Sequence, residues 1–154
     1  MLIKLNRKVF TLVEIMIVVA IIGLLAAIAI PNLLRARTNA NEGAMKTAMR
    51  TFSSANESYR AAQATPAYAA AVTTLTGSTP PYIDTSWTAA TKHGFTITYS
   101  PATAPAATYG FLADPGSSGA TNTYCVDQTG VVVAGTSGVT GPTTGCAGGT
   151  PISG

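Results

Sequence analysis

Apolar residues fall along this chain in three regimes. From Phe10 to Leu34 there are 25 positions, and Glu14 is the one charged residue among them. As a helix this stretch reaches roughly 37 Å, enough for a ~30 Å hydrocarbon layer. The spacing then changes. Met45, Ala48, Met49, Phe52, Ala55, Tyr59 and Ala62 recur three and four residues apart, which places them on one helix face. Glu42 with Lys46, and Glu57 with Arg60, are spaced to support that helix. The spacing predicts an amphipathic helix over 35–64, stopped near Pro66. Phe52 and Tyr59 belong to this face, and core packing accounts for them better than a conducting aromatic stripe does.

Beyond Pro66 the helical spacing ends, and a period of two appears at Phe95–Tyr99. Residues 65–94 read as a connecting loop with at most a turn of helix, broken at Thr79-Pro80-Pro81-Tyr82. Four strands follow within 95–134, at Phe95–Tyr99, Tyr109–Ala113, Thr123–Val126 and Val131–Ala134. Asp114-Pro115-Gly116 and Asp127-Gln128-Thr129-Gly130 supply turns between them. Residues 135–154 are Gly, Thr, Ser and Pro with little to bury. The fold class that results is α+β. A long N-terminal helix, half membrane-spanning and half amphipathic, packs on a small antiparallel β-sheet.

Charge refines this picture. The net charge of +3 matches the three cations Lys4, Arg7 and Lys8 of the first nine residues; the other six basic residues balance six acidic ones. The basic pI is therefore a property of the leader and not a nucleic-acid signal. Only 10% of residues are charged, against ~25% in ordinary soluble domains, so the body has a neutral, hydroxyl-rich surface. Such a surface suits packing against many copies of itself, or an extracellular domain solubilised by hydroxyls. Asn56-Glu57-Ser58 fits a glycosylation triplet but lies inside the predicted helix and carries no weight.

Cations ahead of the apolar run orient that end to the cytoplasm, so the body faces outward. Arg35 and Arg37 beyond it are too few to make a lipid-binding patch. A secretory signal peptide would need cleavage near Ala26-Ala27-Ile28-Ala29, which would discard the helical pattern that continues beyond. A plain signal anchor explains the hydropathy but not Glu14, whose charge costs at least ~2.5 kcal/mol in the apolar layer. Outside the cytoplasm the two cysteines, Cys125 and Cys146, have one possible pairing, worth roughly 3 kcal/mol in the chain-entropy model.

The basic leader running into Phe10-Thr11-Leu12-Val13-Glu14 resembles the N-terminus of type IV pilins and of the pseudopilins of type II secretion. The resemblance extends over residues 1–60, through Gly23, Pro31 and Ile30-Pro31-Asn32-Leu33-Leu34-Arg35-Ala36-Arg37. It implies a pilin-like fold and a leader, 1–9, clipped between Val9 and Phe10 by an inner-membrane prepilin peptidase. That enzyme also N-methylates Phe10. It implies that Glu14 pairs with the Phe10 amine of a neighbouring subunit, and that Gly23 and Pro31 weaken the helix between them so that it can unwind. The implied partners are further copies of the chain in a helical homopolymer, the membrane before assembly, and the inner-membrane assembly platform with its ATPase. The implied location is the inner membrane as precursor, then a surface filament. A Cys125–Cys146 bridge resembles the disulfide-bounded C-terminal region of pilins.

One residue departs from the pattern. The family's leader ends in Gly almost always, and this chain has Val9, whose branched side chain burdens a peptidase pocket suited to a small one. A retained leader would leave Glu14 without an amine.

The reading is thus a major pilin. The alternatives are a major pseudopilin, distinguished by calcium-dependent folding and short periplasmic fibres, and an anchored periplasmic domain that never polymerises. Asp84, Asp114 and Asp127 are too scattered to favour calcium. No catalytic set stands out, and the sequence reads as a non-enzyme. The lone His93 lies between Lys92 and Gly94, and the Gly-rich tail lacks the Lys of a phosphate loop. No metal, cofactor or direct nucleic-acid contact is expected. Lys92 is the one cation among the body's aromatics Tyr82, Trp87, Phe95, Tyr99, Tyr109, Phe111 and Tyr124.

Overall fold

A computed structural model describes residues 10–103, 106–135 and 146–152. The chain divides into two compact units, residues 1–37 and 38–154. Helix α1, Leu12–Ala62, contributes to both.

In the first unit, α1 presents its large apolar side chains to the outside. Every position from Leu12 to Arg37 is exposed except the half-buried Ala26. An 18-residue window has mean hydropathy 2.9 with none of it buried, long and apolar enough to cross a membrane by length and composition.

In the second unit, α1 buries Met45, Ala48, Met49, Phe52, Ser53, Ala55 and Asn56. The apolar face expected from spacing is present as far as Ala55. Tyr59 is only half-buried and Ala62, the last helical residue, is exposed. Two polar residues take their place because each has a partner. Ser53 accepts the Tyr109 hydroxyl (3.0 Å). Asn56 donates to the Tyr99 hydroxyl (3.2 Å) and accepts the Ala69 amide (3.2 Å).

The sheet is a six-stranded antiparallel meander in sequence order: β1 (Thr91–Lys92), β2 (Phe95–Pro101), β3 (Tyr109–Asp114), β4 (Thr123–Asp127), β5 (Val132–Gly135) and β6 (Thr150–Pro151). The four strands expected from the sequence are its centre, β2 to β5. Both edges are additions to that expectation. β1 pairs with β2 across a two-residue turn, His93-Gly94, in which both φ angles are positive (51° and 81°). That is the turn geometry whose twist suits a tight hairpin. A Cβ on Gly94 would also come within 2.9 Å of the Ser118 Cα. β6 lies in the Gly/Thr tail and pairs Pro151 with Val133 and Thr150 with Ala134. Proline is tolerated at such an edge because, among the described residues, no further strand needs its missing donor. The connection 65–94 also holds more than a loop. It includes a short helix α2 (Val72–Thr76) and a 3-10 turn (Thr85–Thr88) that buries Trp87 and is capped by Asp84 accepting the Ser86 amide (2.8 Å).

Phe52 is the centre of the core. It stacks on Phe111 with centroids 4.3 Å apart and meets Tyr99 (5.2 Å), Trp87 (5.4 Å) and Tyr109 (6.3 Å). All of β4 is buried. Tyr124 and Val126 join the core with Phe52, while Cys125 on the opposite face packs with Val133, Leu112 and Cys146.

Candidate functional site

The start of α1 is built by its own residues. The Thr11 amide and hydroxyl both donate to Glu14 Oε2, each at 2.8 Å, and the Glu14 amide donates back to Thr11 Oγ1 at 3.2 Å. The Ile15 amide reaches the Thr11 carbonyl (3.3 Å). This reciprocal arrangement is a capping box, in which Thr and the Glu three residues later satisfy donors that the first helical turn leaves open. The spacing Thr-x-x-Glu is the signal for it in the sequence, and the reading of Glu14 as a charge alone misses it. Both bonds fall on one carboxylate oxygen. Among the described residues Oε1 accepts none, so it is available to an amine.

Phe10 is 77% exposed just ahead of this cap. Val9 and the rest of the leader lie outside the described residues. Gly23 and Pro31 both fall inside α1, and the helix continues through them. A Cβ on Gly23 would meet nothing within 4 Å.

In the second unit, Cys125 and Cys146 are joined, with Cα atoms 5.7 Å apart. The acidic residues are spent separately. Asp84 caps the 3-10 turn. Asp114 accepts the Thr123 hydroxyl (3.3 Å). Asp127 holds Thr129 and the Cys146 amide (2.9 Å). Among the described residues no three His, Cys, Asp or Glu side chains converge as metal ligands. The buried Asn56, committed through its amide to Tyr99 and Ala69, is no glycan acceptor.

Two matched contacts tie this unit's share of α1 to its surroundings. The Tyr124 hydroxyl donates to Glu42 (2.7 Å), and Lys46 lies 3.8 Å from the same carboxylate and 5.1 Å from the Tyr124 ring centre. Further along the helix, the Tyr68 hydroxyl donates to Glu57, and Arg60 lies 3.5 Å from that carboxylate and 5.3 Å from the Tyr68 ring centre. Burial, then the bond to the carboxylate, pushes both phenols up to about 12. Sequence spacing shows the two ion pairs and not the tyrosines, because Tyr124 is 82 residues from Glu42.

The described N-terminal segment thus combines a capped start, the carboxylate of Glu14 and an uncovered apolar helix. Residues 6–30 match the family model of the prokaryotic N-terminal methylation motif. The chain is 48% identical over 50 residues to the type IV major pilin protein PilA of Myxococcus xanthus, a match covering 32% of this chain and 23% of that one. It is 62% identical over 37 residues to the type IV wide pilus major component PilA4 of Thermus thermophilus, covering 24% and 28% respectively. The matched part thus spans about a quarter of the length of these curated relatives. No solved structure matches the chain.

Proposed function

We propose that this chain is the major structural subunit of a type IV pilus-like filament. It is made as an inner-membrane precursor, clipped before Phe10 by a prepilin peptidase, N-methylated there, and polymerised through α1 by an assembly platform and its ATPase. The observation that carries this reading is the exposed apolar stretch of α1 inside a segment that matches the methylation motif. Each large apolar side chain left in water forgoes roughly 1.5–3 kcal/mol of burial, so the stretch needs cover along its length. Lipid supplies that cover before assembly, and the helices of neighbouring copies supply it afterwards. Glu14 then sits in an apolar bundle, where an unpaired carboxylate is costly. The amine of a neighbour's Phe10, donating to Oε1, neutralises it and sets the axial register.

The test is the N-terminal sequence and intact mass of protein sheared from the cell surface. A species beginning at N-methylated Phe10 is the expected result, and it also establishes that Val9 permits cleavage. Full-length chain recovered only from membranes would overturn the reading in favour of an anchored domain.

A further inference from the structure

Asp127 ends β4, two residues after Cys125. It is only 8% exposed. Its Oδ1 accepts the Thr129 amide (2.9 Å) and the Thr129 hydroxyl (2.6 Å), and its Oδ2 accepts the Cys146 amide (2.9 Å). Burial is the largest influence on this carboxyl and pushes its pKa up. The bonds from Thr129 and Cys146 outweigh it and hold the group below the usual carboxylate range. A carboxylate so partnered is ionised at neutral pH, and its bond to the Cys146 amide is charge-assisted. The same short segment of β4 therefore grips Cys146 twice, through the Cys125 sulfur and through the Asp127 side chain.

We propose that Asp127 is a positioning residue for disulfide formation. Its carboxylate draws the Cys146 backbone to the end of β4 and presents the Cys146 thiol to Cys125 before the covalent bond exists. The two cysteines are separated by 21 positions, and bringing them together costs loop-closure entropy. A contact that already holds the loop closed raises the effective concentration of one thiol at the other. The oxidant is a small-molecule or protein disulfide. One cysteine thiolate attacks it to form a mixed disulfide and release one thiol. The second cysteine thiolate displaces the other half. Two electrons pass to the oxidant, and the two protons end on its thiols.

The test is the redox equilibrium of the full chain in detergent micelles against oxidised and reduced glutathione. It is read as the effective concentration of the Cys125/Cys146 pair. Asp127→Asn is expected to lower that value about tenfold, the effect of losing one hydrogen bond to a charged acceptor. Thr129→Val leaves the Cys146 contact in place and lowers it less. A carboxylate with no part in holding Cys146 beside Cys125 leaves the effective concentration unchanged, so an unchanged value for Asp127→Asn overturns the proposal. Hydrogen exchange at the Cys146 amide of the reduced, unmutated chain then separates a contact that precedes the disulfide from one that follows it, and it decides alone if the variant does not fold. Protection is the expected result, and exchange at the rate of an unfolded chain overturns the proposal.

Discussion

Helix α1 uses similar apolar residues in both units and meets two different fates. In the second unit Met45, Met49 and Phe52 are fully buried, and the partners of Phe52 (Trp87, Tyr99, Tyr109 and Phe111) come from the same chain. In the first, Ile17 and Val18 keep 55% and 51% of their surface. Their sequences explain the contrast. Between Met45 and Ala62 the apolar positions are confined to one face, with Lys46, Arg50, Ser54 and Arg60 elsewhere, so a single sheet completes the burial. From Ile15 to Ile30 the apolar residues occupy the whole circumference, and only surroundings on all sides complete it. One part of the helix specifies a fold, and the other specifies an environment.

Glu14 is where the largest effect is expected. If Glu14 pairs with a neighbour's amine as proposed, removing one member of that buried pair costs on the order of 3–5 kcal/mol, and Glu14→Ala is expected to drop filament yield to background while precursor accumulates in the membrane. Because Glu14 also caps α1 through Thr11, Glu14→Gln separates the two roles. Glutamine serves in a capping box but carries no charge. Assembly fails in both variants if pairing with an amine is what matters. Sheared surface protein, quantified by immunoblot, gives the answer, and normal yield from Glu14→Gln would sink the pairing.

Phe52→Ala is the corresponding break in the second unit. A cavity among the four rings that surround Phe52 costs roughly 3–5 kcal/mol, seen as a lower denaturant midpoint in detergent. Precursor insertion is unaffected, because the apolar stretch that inserts is untouched. A midpoint equal to that of the unmutated chain would mean that Phe52 is not the centre of the core.

How much of this is legible in the sequence depends on the length of the signal. The strands β2 to β5 are runs of four or more residues rich in β-branched and aromatic side chains between turn signals, which places them to within two residues, and β2 also alternates. β1 and β6 have two residues apiece and exist because a neighbour's register holds them; no periodicity marks so short a strand. Ser53 and Asn56 carry no burial signal of their own, since their burial depends on hydroxyls and an amide that approach from Tyr99, Tyr109 and Ala69. At the N-terminus the reverse holds. Local spacing there marks the Thr11–Glu14 cap, which needs no long-range packing, while the roles of Phe10, Gly23 and Pro31 come from resemblance and belong to the proposal.

The second unit's reliance on partnered tyrosines gives a pH dependence that the first lacks. Tyr68, Tyr99 and Tyr124 are pushed up to about 12 from 10, and Tyr109 is pushed up too, each by burial first. The folded chain holds these protons more tightly than the unfolded chain. The stability they contribute is therefore complete below pH 10 and is lost as pH rises through 12. The melting temperature is expected to be level across neutral pH and to fall above about pH 10, in step with tyrosinate absorbance. Ionisation of these tyrosines near their ordinary pKa with no change in melting would contradict their burial.

The smallest effect is the sharpest check on the contrast. Ile17→Ala removes a side chain that keeps 55% of its surface exposed among the described residues. Folding of residues 38–154 should change by less than ~0.5 kcal/mol, as for a surface substitution. Insertion should survive too, since the apolar stretch loses a single side chain from a margin that is ample. What remains for Ile17 to affect is the packing between copies that the proposed filament requires, where the lost methylenes cost ~0.8 kcal/mol each once per subunit. A filament repeats that loss along its whole length, so the variant should fold normally, insert normally and yield filaments that shear or melt more readily. A drop in the denaturant midpoint of the monomer would show instead that Ile17 finds its cover within its own chain, and the division between the two parts of α1 would not stand.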